Sequence, residues 1–579
     1  MMKKPFYKSW WFISITSILI VLGIGLAVLS SKFETILEDR LRTSLNSNKQ
    51  SLYSINFKSL RVHLMLGSIS LNELKIEPNQ RVLDSLDKLN IHQSMLATIE
   101  LKKLKVHQVN LKQMILDQVV SMREISFDNP KITLEFTGYK KEVKDTIDVQ
   151  ENVHRIAKLL QNASIHSINL KNADLVLVRS ESPEKPMLTV KHLNVSLEDF
   201  KIDTAMSYVP IDLEEMKISS GNIEYHLSDK STLSVSNSEI SFADSSIALS
   251  NFSFSPTLDR KEFSKKLKYQ QTWNNISAKS ILLSGFDIDD FIFHSQVIIE
   301  DIEITEPKID LYKDKAPKWP AHKVHEIPGS LIQKIPMDML VKHITVKQGS
   351  LRFEQKPENK DETGVLTISD LYVSIDNFTN LDSLLDMDPA LDLNANFVMM
   401  GKAKIDAKLT FFPRAANDKW KVYATVYKSK MNIWNQILFP LTNVKILDGE
   451  IIKVDLAMNC SRTVANGTID MDYKNAKMDI MTLDETTNEL KKRELISWAA
   501  NEFVRSNNVK GTKNFQQGNI DYTRTLDEPF FRFLWFAVQS GIKDTFIGKK
   551  HKPGQVKKDK EKGKLSIKFK KRNKNKKAK

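Results

Sequence analysis

The chain holds one cysteine, Cys460, in 579 residues, with only 18 glycines and 12 histidines. A lone thiol excludes a disulfide framework within the chain, and it suits an oxidising compartment where stray thiols are a hazard. There is no phosphate-cradling P-loop and no nucleophile elbow of the GxSxG type. The histidines are scattered, without an HExxH pair and without a cysteine partner, so neither a metal site nor a cofactor is expected. Asp386, Asp388 and Asp392 resemble half of a calcium loop but lack its central glycine and terminal glutamate, and they read as a solvated turn. Asp287, Asp289 and Asp290 offer paired carboxylates, yet alternation points them outward on a strand or turn. An enzyme is therefore not expected. Asn-x-Ser/Thr triplets, such as the one at Asn251, matter only in a glycosylating host.

Positive charge is confined to one end. Residues 549–579 carry 16 Lys and Arg against 2 Asp and Glu, which leaves residues 1–548 with 69 of each sign. Such a tail is too charged to pack and reads as disordered. It serves either as a solubilising extension or as a contact for anionic lipid or another polyanion. Phe569 is its only aromatic residue, so stacking on bases has no support and no nucleic-acid partner is expected. At the other end, WWFISITSILIVLGIGLAVL (10–29) runs 20 residues without a charge. At about 1.5 Å per residue this crosses a hydrocarbon layer of roughly 30 Å, so a transmembrane helix is expected. A cleaved signal peptide is the rival reading, but its apolar region is normally about 7 to 15 residues and no small-x-small site ends this one. Trp10 and Trp11 stand where an interfacial aromatic belt would, and Lys3, Lys4 and Lys8 favour a cytoplasmic N-terminus.

Between these ends the sequence alternates apolar and polar residues, as in ISLNELKI (69–76), LTVKHLNVSL (188–197) and LDLNANFVMM (391–400). Helical periodicity is local: near Phe33 to Leu45, over 149–163 and 325–340, and in LKKRELISWAANEFV (490–504), which is amphipathic. In DEPFFRFLWFAVQSGIKDTF (527–546), the acidic pair before Pro529 marks a helix start, and Arg532 makes the apolar run too short to span a bilayer. This helix reads as docked onto the end of the body or, through Phe530, Phe531 and Trp535, as inserted in a membrane interface.

One ten-residue pattern recurs: apolar, x, apolar, x, x, small or Pro, x, apolar, x, apolar. It occurs as ISFDNPKITL (125–134), INLKNADLVL (168–177), MKISSGNIEY (216–225), IEITEPKIDL (302–311) and ITVKQGSLRF (344–353), and in part as VKILDGEIIK (444–453). Several separations lie near 43 residues or its double, the mark of a repeat whose units must stack to bury an apolar face. Pro130, Gly221, Pro307, Gly349 and Gly449 fill the small slot. These residues permit positive φ or stop a strand, so each unit is read as strand, tight turn, strand. The expected fold is mostly β, and its apolar side either lines a groove or fills a packed sandwich.

The N-terminal anchor, the block LYSINFKSLRVHLMLGSISLNELKIEP (52–78), units such as LVKHITVKQGSLRFEQ and the preceding IPGSLIQKIPMDML together resemble the AsmA-like family of bacterial envelope proteins. TamB and the bridge-like lipid-transfer proteins share that broad architecture. The resemblance is one of pattern and order over most of residues 1–548, without an invariant motif. It implies an inner-membrane anchor, a periplasmic body built as an elongated groove of curled antiparallel sheet, and a role in moving phospholipid toward the outer membrane or maintaining that membrane. On this reading residues 1–31 are a cytoplasmic stub and anchor, 32–485 the groove, 486–548 amphipathic helices and 549–579 the basic tail. Roughly 25 strands at about 4.8 Å each would extend on the order of 120 Å. The expected groove lining is Ile125, Phe127, Ile168, Leu170, Ile218, Ile223, Ile302, Ile304, Ile309, Leu311, Ile344, Val346, Leu351 and Phe353. Phospholipid and other envelope proteins are the expected partners. The alternative is a structural or assembly scaffold of the envelope with a packed β core.

Overall fold

In a computed structural model, the described residues are 51–547 apart from 64–66, 110–119, 139–162, 199–214, 229, 288–289, 321–322, 388–389, 415–416, 484–489 and 493–504, together with residues 38, 39, 42 and 43. The predicted span 10–29 and the basic tail lie outside them. Among the described residues no helix is long and apolar enough to cross a membrane.

The chain is mostly β, and 24 strands form one mixed sheet. Alternating Val, Ile, Leu and Phe favour extended backbone that presents one apolar face. From Tyr53–Asn56 to Gly518–Thr523 the ladder advances almost strictly in chain order. Five of its positions consist of two strands lying in line, such as Met216–Ser220 with Ile223–Ser228. The 24 strands therefore occupy nineteen lateral positions. Eighteen spacings of about 4.8 Å give a sheet roughly 85 Å across, shorter than expected because in-line strands do not add width. The two outermost strands do not pair with each other, so the sheet is open.

Two junctions are parallel, which corrects the expectation of a purely antiparallel sheet. Val120–Phe136 pairs in parallel with Ala163–Arg179, and Gln296–Thr305 with Lys308–Asp314 pairs in parallel with Asp338–Lys356. This explains the sequence period. A parallel neighbour sets equivalent positions side by side, so Ile125 faces Ile168 at a spacing of 43 and Ile302 faces Ile344 at 42.

The repeated unit is not a hairpin. Both halves of IEITEPKIDL pair with the same two neighbours, Thr272–Ser284 on one side and Asp338–Lys356 on the other. They form one strand creased at Glu306 and Pro307. Ile302 and Ile309 are seven residues apart, and an unbroken strand would point them to opposite faces. Glu306 adopts a left-handed conformation (φ 49°), as do Gln348 (56°) and Asp370 (49°) on the next two strands and Asn129 (52°) and Asn172 (54°) farther back. Each breaks the alternation once, as a β-bulge does, and thereby restores the apolar positions to one side. Pro307 and Gly349 stand next to each other on this crease, where a Cβ on Gly349 would lie 3.1 Å from the proline ring. Packing confirms the common side at the N-terminal end: Leu60, Leu71 and Leu104 on one side of the crease join Ile55, Ile76 and Ile99 from the other in one cluster.

The described helices are short apart from the last. Residues 38, 39, 42 and 43 are helical, with the Arg42 guanidinium 4.1 Å above the Phe57 ring. The segment predicted as helix over 325–340 is helical only in Pro328–Gln333, and Asp338 already belongs to a strand. In 490–504, Leu490–Lys492 forms a strand against Met481–Leu483 instead of a helix, and the remainder lies outside the described residues, as does 149–162. Phe530–Ile547 is helical as expected, starting just after Pro529. It docks on the last strands, with Phe533 and Ala537 fully buried and Gly541 against Ile520 and Ile469.

Candidate functional site

Lateral register turns single apolar residues into continuous lines across the sheet. The longest passes through all nineteen positions. It starts at Leu60, Leu71, Leu104 and Phe127. It continues through Leu170, Val195, Ile218, Ile240, Ile247, Leu283, Ile302 and Ile344. It ends with Ile375, Leu393, Leu409, Val422, Met458, Gly467 and Ile520. No member is polar; Gly467 alone lacks a side chain, because a Cβ there would strike the Ala457 carbonyl at 2.1 Å. A second line, beyond the crease, runs from Ala97 through Leu134, Leu177, Leu188, Tyr225, Leu233, Phe254, Ile276, Ile309, Leu351 and Ile368 to Met399.

Burial along the first line is uneven. Leu60, Leu71 and Leu104 are 3–5% exposed, and Val422, Met458 and Ile520 are 1–3% exposed. The eight from Leu170 to Ile344 are all half-buried, and none belongs to either hydrophobic cluster. One cluster closes the N-terminal end and the other the C-terminal end. The latter draws in Ile327 and Ile332 from the crossover between Asp314 and Asp338, and Phe533 and Ala537 from the last helix. Between the clusters lies an apolar face that, among the described residues, neither cluster covers. Eight neighbouring strands make this open stretch about 35 Å long.

Seven of the fourteen expected residues fall on these lines, Phe127, Leu170, Ile218, Ile302 and Ile344 on the first and Ile309 and Leu351 on the second, and the others lie in neighbouring rows. Phe127 with Leu170, Ile125 with Ile168, Ile302 with Ile344, Ile304 with Val346, Ile309 with Leu351 and Leu311 with Phe353 are lateral neighbours. Ile218 joins the first line through Val195, and Ile223 lies between Val190 and Val235 across the crease. Ile125 is buried in the N-terminal cluster, so it forms part of a core. Alternation made these apolar rows legible. The same reasoning missed Ile240, Ile247, Leu283, Ile375 and Leu393, which sit in strands without the ten-residue pattern.

The opposite face is charged and cross-linked between strands. Lys171 bonds Glu124 at 2.8 Å and Lys347 bonds Glu303 at 2.8 Å. The Lys171 hydrogen bond is the main reason that Glu124 titrates below the usual range. Such half-exposed pairs set register more than they add stability.

No family model matches this chain. No curated protein matches it either. Among solved structures, a chain described as "Crystal structure of Sex pheromone staph-cAM373 precursor" aligns over 57% of this chain and 85% of its own, at 8% identity and a TM-score of 0.13, too low to carry an argument.

Of the residues expected at a membrane interface, Trp10 and Trp11 lie outside the described residues. Phe530 packs on Trp420 at a centroid distance of 5.1 Å, while Phe531 is 79% and Trp535 47% exposed. Among the described residues no group of three His, Cys, Asp or Glu could hold a metal. Cys460 is buried in the C-terminal cluster, and burial pushes its thiol up to about 12.

Proposed function

We propose that the open apolar face binds acyl chains and that the protein handles phospholipid along it, as a membrane-anchored, non-enzymatic member of the AsmA-like type. The reading rests on one observation: eight consecutive half-buried apolar residues, Leu170 to Ile344, on a face that lies between two closed cores. Half-exposed apolar surface of this extent is costly in water and marks a site that something covers. An acyl chain is a fitting cover, because it needs no hydrogen bonds and gains about 0.8 kcal/mol per buried methylene. A chain lying lengthwise would meet apolar side chains at every strand, with no polar barrier to sliding. Residues 10–29 would hold the protein in the inner membrane with its body in the periplasm, and the basic tail would contact anionic lipid. The direction of transfer would come from partners, since no nucleotide-binding motif is present in the sequence.

The test is to purify the full chain in a mild detergent and identify retained phospholipid by mass spectrometry, with Ile302→Asp and Ile304→Asp in parallel. Retained lipid that the charged variants lose supports the trough. A folded wild type that carries no lipid would instead favour the scaffold reading, and charged variants that retain it would show that lipid binds elsewhere.

A further inference from the structure

The apolar line through Ile309 and Leu311 ends on a lysine. Arg260, on the helix Arg260–Lys265, bonds Asp310 and Glu354 and covers the Trp273 and Tyr312 rings, which fixes residues 310 and 312 on the outer face. Alternation then puts Ile309, Leu311 and Lys313 on the trough face. Lys313 Nζ stands 4.6 Å from the centre of the Trp319 ring, and the Arg532 guanidinium from the last helix stands 5.2 Å from the same ring. Lys315 follows two residues on.

Nearby carboxylates already have partners. Glu528 accepts the Tyr522 hydroxyl at 2.8 and 3.0 Å and lies 3.8 Å from Arg532. Asp314 accepts the Ala316 amide at 2.8 Å, and Asp527 is held by Thr525 and Trp319. Lys313 and Lys315 are absent from every ion pair among the described residues. Burial, followed by repulsion from Lys315 and Arg532, pushes the Lys313 ammonium down to about 8. Three cations thus converge where the open face meets its C-terminal roof, and no carboxylate neutralises the two lysines.

An apolar line that ends in uncompensated positive charge complements an amphiphile with an anionic head. We propose that Lys313, Lys315 and Arg532 form a phosphate-headgroup site at the lip of the trough, from which the acyl chain leaves along Leu311 and Ile309. The proposal rests on the reading of the trough as an acyl-chain site. The lysines supply point charges, and the arginine fork can take two phosphate oxygens.

Calorimetric titration of the full chain in a maltoside detergent tests it with three probes: dihexanoylphosphatidic acid, uncharged dihexanoylglycerol and inorganic phosphate. Wild type should prefer the phosphatidic acid to the glyceride by at least about tenfold, and Lys313→Gln with Lys315→Gln should abolish that preference, as should Arg532→Gln alone from the opposing helix. Lys313→Arg with Lys315→Arg should keep it. A preference that survives both glutamine variants overturns the headgroup site, while glyceride binding by wild type would leave the trough reading standing. Inorganic phosphate bound as tightly as phosphatidic acid, with no glyceride binding, would mean a free-anion site and would sink both readings.

Discussion

Gly518→Ala should release the last helix from the sheet. Gly518 sits on the outermost strand, and a Cβ there would lie 2.3 Å from both the Gly541 carbonyl oxygen and Thr545 Oγ1. Ordinary contact needs about 3.5 Å, so the helix must retreat by roughly 1 Å. A gap of that size forfeits a quarter to a half of each dispersion contact that it opens, here under Phe533 and Ala537. Overpacking of this kind costs about 1–3 kcal/mol. Because the strain falls on one docked element, it should register as local opening, and amide protection across Phe530–Ile547 should drop by about 5- to 150-fold in hydrogen exchange. Gly541→Ala provides the comparison. Its Cβ would meet only side-chain carbons, Ile520 Cγ1 at 2.6 Å and Ile469 Cγ2 at 2.7 Å, which can rotate away, so its loss should be smaller. Unchanged protection in Gly518→Ala would refute the close backbone approach of helix and strand.

Two further outcomes separate core from open face. Ile302→Asp should lower stability by under about 2 kcal/mol in urea titration, because the site is half-buried and its charge can reach water, whereas Met458→Asp, 1% exposed in wild type, should cost more than about 4 kcal/mol. Equal losses would mean that the middle of the sheet is a core. Cys460 should resist alkylation at pH 8 until the protein is unfolded. Its folded pKa lies above the unfolded value of 9.0, so the stabilisation is fully present below pH 9 and is lost as pH rises toward about 12. Rapid labelling of native protein at pH 8 would contradict its burial.

Period two made the β class and much of the apolar register legible, because alternation depends only on local geometry. The crease was misread for a physical reason. Proline and glycine in a strand pattern signal a turn or a bulge equally, and only the neighbours' register decides; Pro307 and Gly349 are laterally adjacent, which a hairpin loop does not require. The 43-residue period was visible, but its source in parallel pairing was not, since nothing in Ile125 or Ile168 encodes strand direction. Leu490–Lys492 kept helical spacing yet forms a strand, a tertiary override of a weak local preference. Lys313 carried a signal that went unused: it continues the parity of Ile309 and Leu311, and a charge in that register marks where an apolar line stops.

The division into two cores, with a span between them that among the described residues joins neither, also bears on cooperativity. All-or-none unfolding requires that every part be coupled through shared burial. Here the ends are each tied together by a cluster, while the strands between them are joined mainly through backbone pairing with the next strand. Such a chain behaves as two melting units linked by a nearest-neighbour ladder, in the manner of a one-dimensional repeat array. Anything that fills the midsection would then do more than occupy a surface: it would join the two units into one.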